Sequence, residues 1–346
     1  MPKSLQPRSL REPLRFERIC LEKVWGGRRL ERAVGMTLPG TGPIGETWEL
    51  VDRSDYVSVV SSGTWKGATL TELVHDSPRE LMGSAKLTPE GRFPLIVKFL
   101  DASEPLSVQV HPPSGTRGPL GEGKSEAWYI LDAEHESKLW IGLKPGTTRE
   151  HLAATASKRD VLEHVLEWPA RRGDIAFIPG GTVHAIGGGI TLLEVQENAD
   201  TTHRLYDWDR AGLDGKPRAL QPSESIASTD VNASPKPHAA QFEALDAHTR
   251  CAGLVSAPCF AMDLYEIDGH RAFDTNDLAL IYVVLQGRGS LVVNDKNGRS
   301  LVSSDKTRSA SVIATGDLWL VPASVGPHTI SAHDGSLKVM RVATRA

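Results

Sequence analysis

Four residues of types that bind metal ions lie in three short segments of the sequence. Gln109 and His111 are two residues apart in the segment Leu106–Pro113. Successive side chains of a strand point to opposite faces, so this spacing places both on one face. Glu126 adds a carboxylate, and His184 adds a second imidazole after an apolar run that ends in a turn with Pro and two glycines. Together these residues predict one metal site.

The chemistry of this donor set indicates the class of metal. Two imidazoles, one carboxylate and one amide oxygen suit a borderline cation such as zinc, and a single carboxylate leaves the ion positively charged. Such an ion is a useful Lewis acid. Two histidines and a carboxylate also hold iron or manganese, so an oxygenase remains the competing class of enzyme.

Charged residues close to these ligands indicate an anionic substrate. Lys124 lies two residues before Glu126 and would share its face, and Arg204 follows the segment that leaves the first predicted sheet. A compact Lys charge and a forked Arg together suit a phosphate, and an apolar oxygenase substrate does not need them. Glu194 lies within an apolar strand, where burial would raise its pKa towards a range useful for proton transfer. Lys124, His111 or a metal-bound water remain alternatives as the base.

Several other polar residues are weaker candidates for binding substrate. Ser107 shares the face of Gln109, which makes its hydroxyl a candidate phosphate donor. Glu46, Trp48 and Glu49 are candidates to line a pocket from an N-terminal strand, although a Trp in such a position is more often part of the core. Lys98, on the following strand, is a candidate for the same anionic corner.

Short strand patterns separated by Gly and Pro dominate the chain and predict a mainly β fold. We expect two cupin-type jelly-roll β-barrels with short helical insertions. The insertions are predicted at Thr69–Leu81 and Thr148–Leu166, where apolar residues recur every three or four positions and would cover a sheet face. Strands are predicted at Thr47–Val51, Tyr56–Val60, Leu95–Leu100, Ala127–Leu131, Lys138–Ile141, Ile175–Ile178 and Thr191–Val195.

The second half of the chain repeats this pattern without the full set of ligands. Residues 1–240 are predicted to form a catalytic jelly roll, and residues 241–346 a second jelly roll that binds no metal. His328 stands near the place that His184 takes in the first half, but the strand Ala279–Leu285 offers it no His, Gln or Glu. We therefore expect His328 to be a hydrogen-bonding residue.

Composition fits a metabolic enzyme. The 346 residues exceed the ~250–300 at which one core stops growing, which favours two domains. A net charge of -4 argues against nucleic acid as a partner. The N-terminal residues 1–8 carry charge with no apolar stretch behind them, and no run of ~18 apolar residues occurs. We therefore expect a cytoplasmic protein, without membrane contact, that is a monomer or weak homo-oligomer.

The order and spacing of seven motifs resemble those of the class I mannose-6-phosphate isomerases, also called phosphomannose isomerases, of the short bacterial type in the cupin superfamily. The motifs lie at Val24–Gly27, Gly45–Leu50, Val97–Asp101, Ser107–Pro112, Gly123–Glu126, Pro179–Ala185 and Asn198–Arg204.

This resemblance implies one Zn²⁺ per chain, bound by Gln109, His111, Glu126 and His184, with Lys124 and Arg204 in the active site. It implies interconversion of mannose 6-phosphate and fructose 6-phosphate by proton transfer through an enediol. A sugar-phosphate-binding regulator without catalysis is a further alternative. The loop between Pro112 and Lys124 departs from the family pattern, in which an acidic and helical continuation is usual, so we expect it to be rebuilt.

Overall fold

The computed structural model describes residues 9–295, 300 and 310–345. The charged N-terminal residues 1–8, which no apolar stretch follows in the sequence, lie outside this range. In chain order the elements are β1 (Ile19–Gly27), α1 (Leu30–Ala33), β2 (Ile44–Leu50), α2 (Leu70–Asp76), α3 (Pro78–Met82), β3 (Leu95–Ala102), β4 (Val108–Val110), β5 (Glu126–Ala133), β6 (Lys138–Leu143), α4 (Arg149–Thr155), a 3-10 helix (Arg159–His164), β7 (Val165–Pro169), β8 (Asp174–Ile178), β9 (His184–Ile186), β10 (Ile190–Glu197), β11 (His203–Tyr206), α5 (Pro222–Ser228), β12 (His238–Ala239), β13 (Glu243–Ala244), β14 (Thr249–Ser256), β15 (Phe260–Ile267), β16 (His270–Phe273), β17 (Leu280–Gln286), β18 (Arg288–Val293), β19 (Ser311–Ala314), β20 (Leu318–Val321), a second 3-10 helix (Ala323–Val325), β21 (His328–Ala332) and β22 (Leu337–Thr344).

These elements cluster into two compact units. The first β unit comprises Arg18–Leu50 and Leu95–Ala240. The remaining described residues form the second β unit, including those before Arg18 and those of Val51–Pro94. The sequence predicted a single division at residue 240. The two earlier segments instead cluster with the C-terminal strands, because Leu14 bridges to Leu320 and Gly83 bridges to Leu278.

Each unit is built from a larger and a smaller antiparallel sheet, so the predicted mainly β fold is confirmed. In the first unit the strand orders are β1-β2-β3-β10-β5-β8-β12 and β11-β4-β9-β6-β7. In the second unit they are β13-β14-β15-β22-β17-β20 and β16-β21-β18-β19. The two sheets of the first unit share a core in which Trp128 and Leu192 of the larger sheet pack with Ile141 of the smaller one. Burying each such side chain contributes ~1.5–3 kcal/mol.

The predicted helical insertions are present but shorter than the apolar periodicity indicated. The first breaks into α2 and α3, because Pro78 lacks a backbone N–H and starts a new helix. The second ends as an α-helix at Thr155 and continues as a 3-10 helix and then β7. Its Leu152 packs against the outer face of the smaller sheet, as predicted for a covering helix.

Of the other predicted elements, Tyr56–Val60 forms isolated bridges at Val57, Val59 and Val60 rather than a strand. Their partners are Asp52, Thr69 and Phe16, and the segment joins none of the four sheets. In the part of the chain that the structure describes, no helix is both long and apolar enough to cross a membrane.

Candidate metal centre

Strand β4 presents its alternate residues to opposite sides. Val108 and Val110 are fully buried and pack with Leu152 in the core outside the smaller sheet. Gln109 therefore faces the interior of the first unit, and His111 continues that face one residue beyond the end of the strand. This is the alternation that the sequence predicts.

Strand pairing brings three of the four predicted ligands into one cluster. Gln109 is the register partner of His184, the first residue of β9. The ligand atoms of His111, Glu126 and His184 all lie within 4.8 Å of one another, and each side chain is 1% exposed. Among the described residues, no other group of three His, Cys, Asp or Glu side chains has this geometry.

Backbone carbonyls fix the orientation of both imidazoles. His111 Nδ1 lies 2.7 Å from the Thr201 carbonyl oxygen, and His184 Nδ1 lies 2.9 Å from the Thr182 carbonyl oxygen. A carbonyl oxygen only accepts, so each Nδ1 must carry the proton and donate it. Each Nε2 is then left with a lone pair, and each lies 3.4 Å from an oxygen of Glu126. Metal-binding histidines are commonly oriented in this way.

The atoms at the centre of the cluster fit a bound cation. His111 Nε2 and Oε1 of Glu126 are buried and have no hydrogen-bond partner within the described chain, and Oε2 of Glu126 has only the Lys124 ammonium at 2.9 Å. Buried polar atoms without a partner are costly, and a metal ion satisfies lone pairs of this kind. The two imidazoles and the carboxylate therefore match a metal site in both chemistry and geometry.

Gln109 adjoins the cluster through its amide. Its Nε2 lies 3.2 Å from His184 Nε2, and its Oε1 accepts a hydrogen bond of 2.9 Å from Ser107 Oγ. The two ends of an amide have nearly the same shape, so a half-turn presents Oε1 to the cluster and leaves Nε2 to donate to Ser107. Gln109 is then a fourth, oxygen donor, and Ser107 orients it. The prediction that Ser107 binds phosphate stays a prediction.

Lys124 and Arg204 both lie beside this centre. Lys124 Nζ is 2.9 Å from Glu126 Oε2, and the Lys124 side chain is nearly fully buried. Burial alone would raise the pKa of Glu126, but the positive charge of Lys124, with smaller contributions from His111 and His184, holds it well below its ordinary value. Arg204 is the register partner of Gln109. Its Nε is buried without a hydrogen-bond partner among the described residues, and burial together with the charge of Arg218 lowers the pKa of Arg204.

Glu194 lies on the same interior face, between two cross-strand neighbours. Its partner on β3 is Lys98, whose Nζ is 3.7 Å from Oε1, and its partner on β5 is Trp128, whose indole donates to Oε2 at 3.0 Å. Burial of the Glu194 carboxyl, reinforced by the negative charge of Glu126, raises its pKa. The sequence predicted both the burial and the direction of this shift.

The weaker candidates on β2 are tied to structural partners. Glu46 Oε2 accepts a hydrogen bond of 2.7 Å from the Trp48 indole and lies 3.5 Å from Lys23 Nζ. Burial would raise the pKa of Glu46, but the charges of Lys98 and Lys23 lower it to about 2. Lys98 Nζ also lies 4.5 Å from the centre of the Trp48 ring. Glu49 instead pairs with Arg18 at 2.6 Å.

Sequence reasoning missed Trp128 and Thr201. Trp128 is two residues after Glu126, so the strand period alone would have placed it on the ligand face. Its ring also packs edge-on against His184, with the ring centres 5.4 Å apart. Thr201 acts through its backbone carbonyl, which no side-chain pattern reveals.

Comparisons with known proteins identify the family of the chain. Residues 14–150 match the family described as phosphomannose isomerase type I, catalytic domain. The chain is 36% identical to mannose-6-phosphate isomerase ManA of Bacillus subtilis over 81% of this chain and 88% of that protein. It is 35% identical to the mannose-6-phosphate isomerase of Streptococcus mutans, over 82% and 87% of the two chains.

A solved structure extends the likeness to the whole fold. The crystal structure of the mannose 6-phosphate isomerase from Bacillus subtilis superposes with a TM-score of 0.82 at 27% identity, and the match covers 95% of this chain and 99% of that one. The chain therefore belongs to the type I mannose-6-phosphate isomerase family, and it is an isomerase.

Proposed function

We propose that this protein interconverts mannose 6-phosphate and fructose 6-phosphate with one Zn²⁺ held by Gln109, His111, Glu126 and His184. The observation that carries the proposal is the buried cluster in which His111 Nε2 and Glu126 Oε1 have no hydrogen-bond partner among the described residues. Its position in a chain of this family supports the assignment.

The donor set favours zinc over the metals of the competing class. Imidazole nitrogens, one carboxylate and one amide oxygen suit zinc, and when bound the ion would stabilise negative charge on a substrate oxygen. Two histidines and a carboxylate would also suit iron or manganese in an oxygenase. The buried Lys124 and the half-buried Arg204 argue against an apolar oxygenase substrate, because they are suited to a phosphate or an oxyanion.

Glu194 is the best candidate to move the proton between C1 and C2 of the sugar. Its raised pKa brings the carboxyl closer to the range in which it can both accept and release a proton. The alternatives are less suited. Burial alone would lower the pKa of Lys124, but Glu126 and Glu194 outweigh it and raise that pKa, which keeps Lys124 protonated. His111 is less suited because its Nε2, the atom with the free lone pair, faces Glu126 and is a proposed zinc ligand.

Lys124 and Arg204 would stabilise the anionic parts of the reaction. Proton removal from the sugar leaves an enediolate, whose negative oxygen needs a positive group that is already in place. Arg204 lies next to Gln109 across the β4–β11 pair and has a buried N–H to donate. These two cations therefore account for both phosphate recognition and stabilisation of the enediolate.

The test is an assay of mannose 6-phosphate conversion by the purified full chain, run as prepared, after chelation and after zinc is added back. We expect turnover that disappears with the chelator and returns with zinc. Absence of turnover in a folded, zinc-loaded sample contradicts the isomerase assignment. If that sample still binds mannose 6-phosphate, a sugar-phosphate-binding regulator becomes the better assignment.

A further inference from the structure

A hydrogen-bonded network lies beside the candidate metal centre and joins the chain segments that carry its ligands. We define the Glu197 network as Glu197, Ser114, Ser125 and the backbone N–H of Gly180. Glu197 Oε2 lies 2.5 Å from Ser114 Oγ and 2.7 Å from the backbone nitrogen of Ser125. Ser125 Oγ lies 2.6 Å from Ser114 Oγ and 3.1 Å from the backbone nitrogen of Gly180.

The direction of every bond in this network follows from one proton per hydroxyl. A carboxylate only accepts, so Ser114 must give its proton to Glu197. Ser125 must then donate to Ser114 Oγ, and its own oxygen is left to accept from the Gly180 N–H. The bonds therefore run from Gly180 through Ser125 and Ser114 to Glu197, and hydrogen bonds that end on a charged acceptor are the stronger kind.

Each member of the network adjoins a segment that carries a ligand. Ser125 immediately precedes Glu126, Ser114 follows His111 by three residues, and Gly180 precedes His184 by four. Backbone bonds reinforce the junction, since the Gly181 N–H donates to the His111 carbonyl at 2.7 Å. A Cβ added to Gly180 would lie 2.4 Å from the Pro112 carbonyl oxygen, so the turn before His184 needs glycine there.

The network also holds the loop for which the sequence predicted a departure from the family pattern. The described segment 112–124 contains turns and no helix, and the Lys124 N–H closes its base by donating to the Pro112 carbonyl at 3.0 Å. Ser114 anchors one end of this loop to Glu197. The Thr201 hydroxyl accepts from the Glu122 N–H at 3.0 Å near the other end.

We propose that Glu197 is a positioning residue for metal binding: its carboxylate, through Ser114 and Ser125, holds the segments of His111, Glu126 and His184 in ligand geometry. This inference rests on the proposed zinc site. Residues that orient metal ligands typically change metal affinity by about 10–100-fold when they are mutated. We expect an effect of that size, through faster release of the metal, because the ligands themselves remain.

The experiment measures zinc affinity and zinc release by chelator competition on the metal-depleted full chain. Glu197→Ala should weaken zinc binding by about tenfold or more. Glu197→Gln keeps an acceptor oxygen and should recover part of the loss. Ser114→Ala breaks the same chain of bonds at an exposed residue, so it tests the proposal even if Glu197→Ala does not fold.

Ser137→Ala is the matched control. It removes a buried serine whose hydroxyl donates to the Gly188 carbonyl at 2.9 Å in the same β unit, and it should lower stability without changing zinc release. Zinc affinity within about twofold of wild type in both Glu197→Ala and Ser114→Ala overturns the inference while leaving the proposed function intact. Failure of the wild-type protein to bind zinc overturns both.

Discussion

His184 and His328 occupy corresponding places in the two β units. Each is the first residue of a strand in the smaller sheet, and each Nδ1 bonds to the carbonyl oxygen two residues earlier, of Thr182 and Gly326 respectively. The two Nε2 atoms differ in the groups that they contact. His184 Nε2 faces Gln109 and Glu126, whereas His328 Nε2 lies 2.8 Å from the hydroxyl of the buried Tyr282.

Strand registers show what replaces the other ligands in the second unit. Gln109 pairs with His184, and Phe273 pairs with His328. Glu126 pairs with Ile178 at the end of β8, and Leu280 pairs with Val321 at the end of β20, each just before a proline. An aromatic ring and an aliphatic side chain thus stand where the first unit has an amide and a carboxylate.

Next to these positions, three side chains on adjacent strands of the larger sheet form a row across the strands. The charges in this row have opposite signs in the two units. In the first unit Glu194 lies between Lys98 and Trp128, and in the second unit Arg341 lies between Asp263 and Tyr282. The same backbone positions therefore hold a carboxylate with a raised pKa in one unit and an ion-paired guanidinium in the other. The comparison teaches that chemistry in this fold depends on a few interior positions and not on the sheets themselves. That the second unit binds no metal stays a prediction.

The largest contrast should come from removing the two histidines. His184→Leu removes a proposed ligand, and loss of several kcal/mol of charge stabilisation should lower kcat/KM by about a thousandfold or more, together with the zinc content. His328→Leu should retain zinc and activity but lower the free energy of unfolding by about 1–3 kcal/mol, because Tyr282 loses its buried partner. Metal analysis, kinetics and urea unfolding of both variants check this, and loss of zinc from His328→Leu would contradict the comparison.

The next contrast concerns the central residues of the two charged rows. Glu194→Gln removes the proposed base and should lower kcat by about a hundredfold or more while the zinc content stays unchanged. Arg341→Gln, at the equivalent position, should leave kcat within about twofold of wild type. Steady-state kinetics on zinc-loaded samples measure both. Equal losses of kcat in the two variants would show that both residues support the structure and that Glu194 has no special role in catalysis.

A smaller effect is expected at Arg204. Arg204→Ala removes charge-assisted hydrogen bonds worth about 1.5–3 kcal/mol, so kcat/KM should fall about 10–100-fold with zinc retained. Arg250→Ala, an exposed arginine of the second unit, serves as its control. If inorganic phosphate inhibits Arg204→Ala as strongly as wild type, Arg204 does not bind the phosphate group.

The smallest effect is expected from Tyr282→Phe. It leaves His328 Nε2 buried without its partner and should lower the free energy of unfolding by about 1–3 kcal/mol, with no change in kcat. Denaturant unfolding together with the isomerase assay measures this. A fall in kcat at unchanged zinc content would show that the second unit contributes to the reaction.

The sequence could predict those parts of the site that follow from the alternation of side chains along a strand and from the polarity of neighbouring residues. Gln109, His111 and Lys124 were placed by alternation along strands, and Glu194 by its apolar surroundings. The sequence could not show that Ser107 orients Gln109 or that Trp128 bonds to Glu194, because these contacts depend on side-chain geometry. It also could not show that residues 51–94 cluster with the second unit, since that depends on pairing across more than 190 residues, as between Gly83 and Leu278.

The most direct test of the central claim is a zinc-edge anomalous difference map from crystals of the zinc-loaded protein. Our account predicts one strong peak per chain in the first β unit, about 2.0–2.2 Å from His111 Nε2, His184 Nε2 and an oxygen of Glu126. A peak beside His328, or no peak between the two histidines of the first unit, would contradict it.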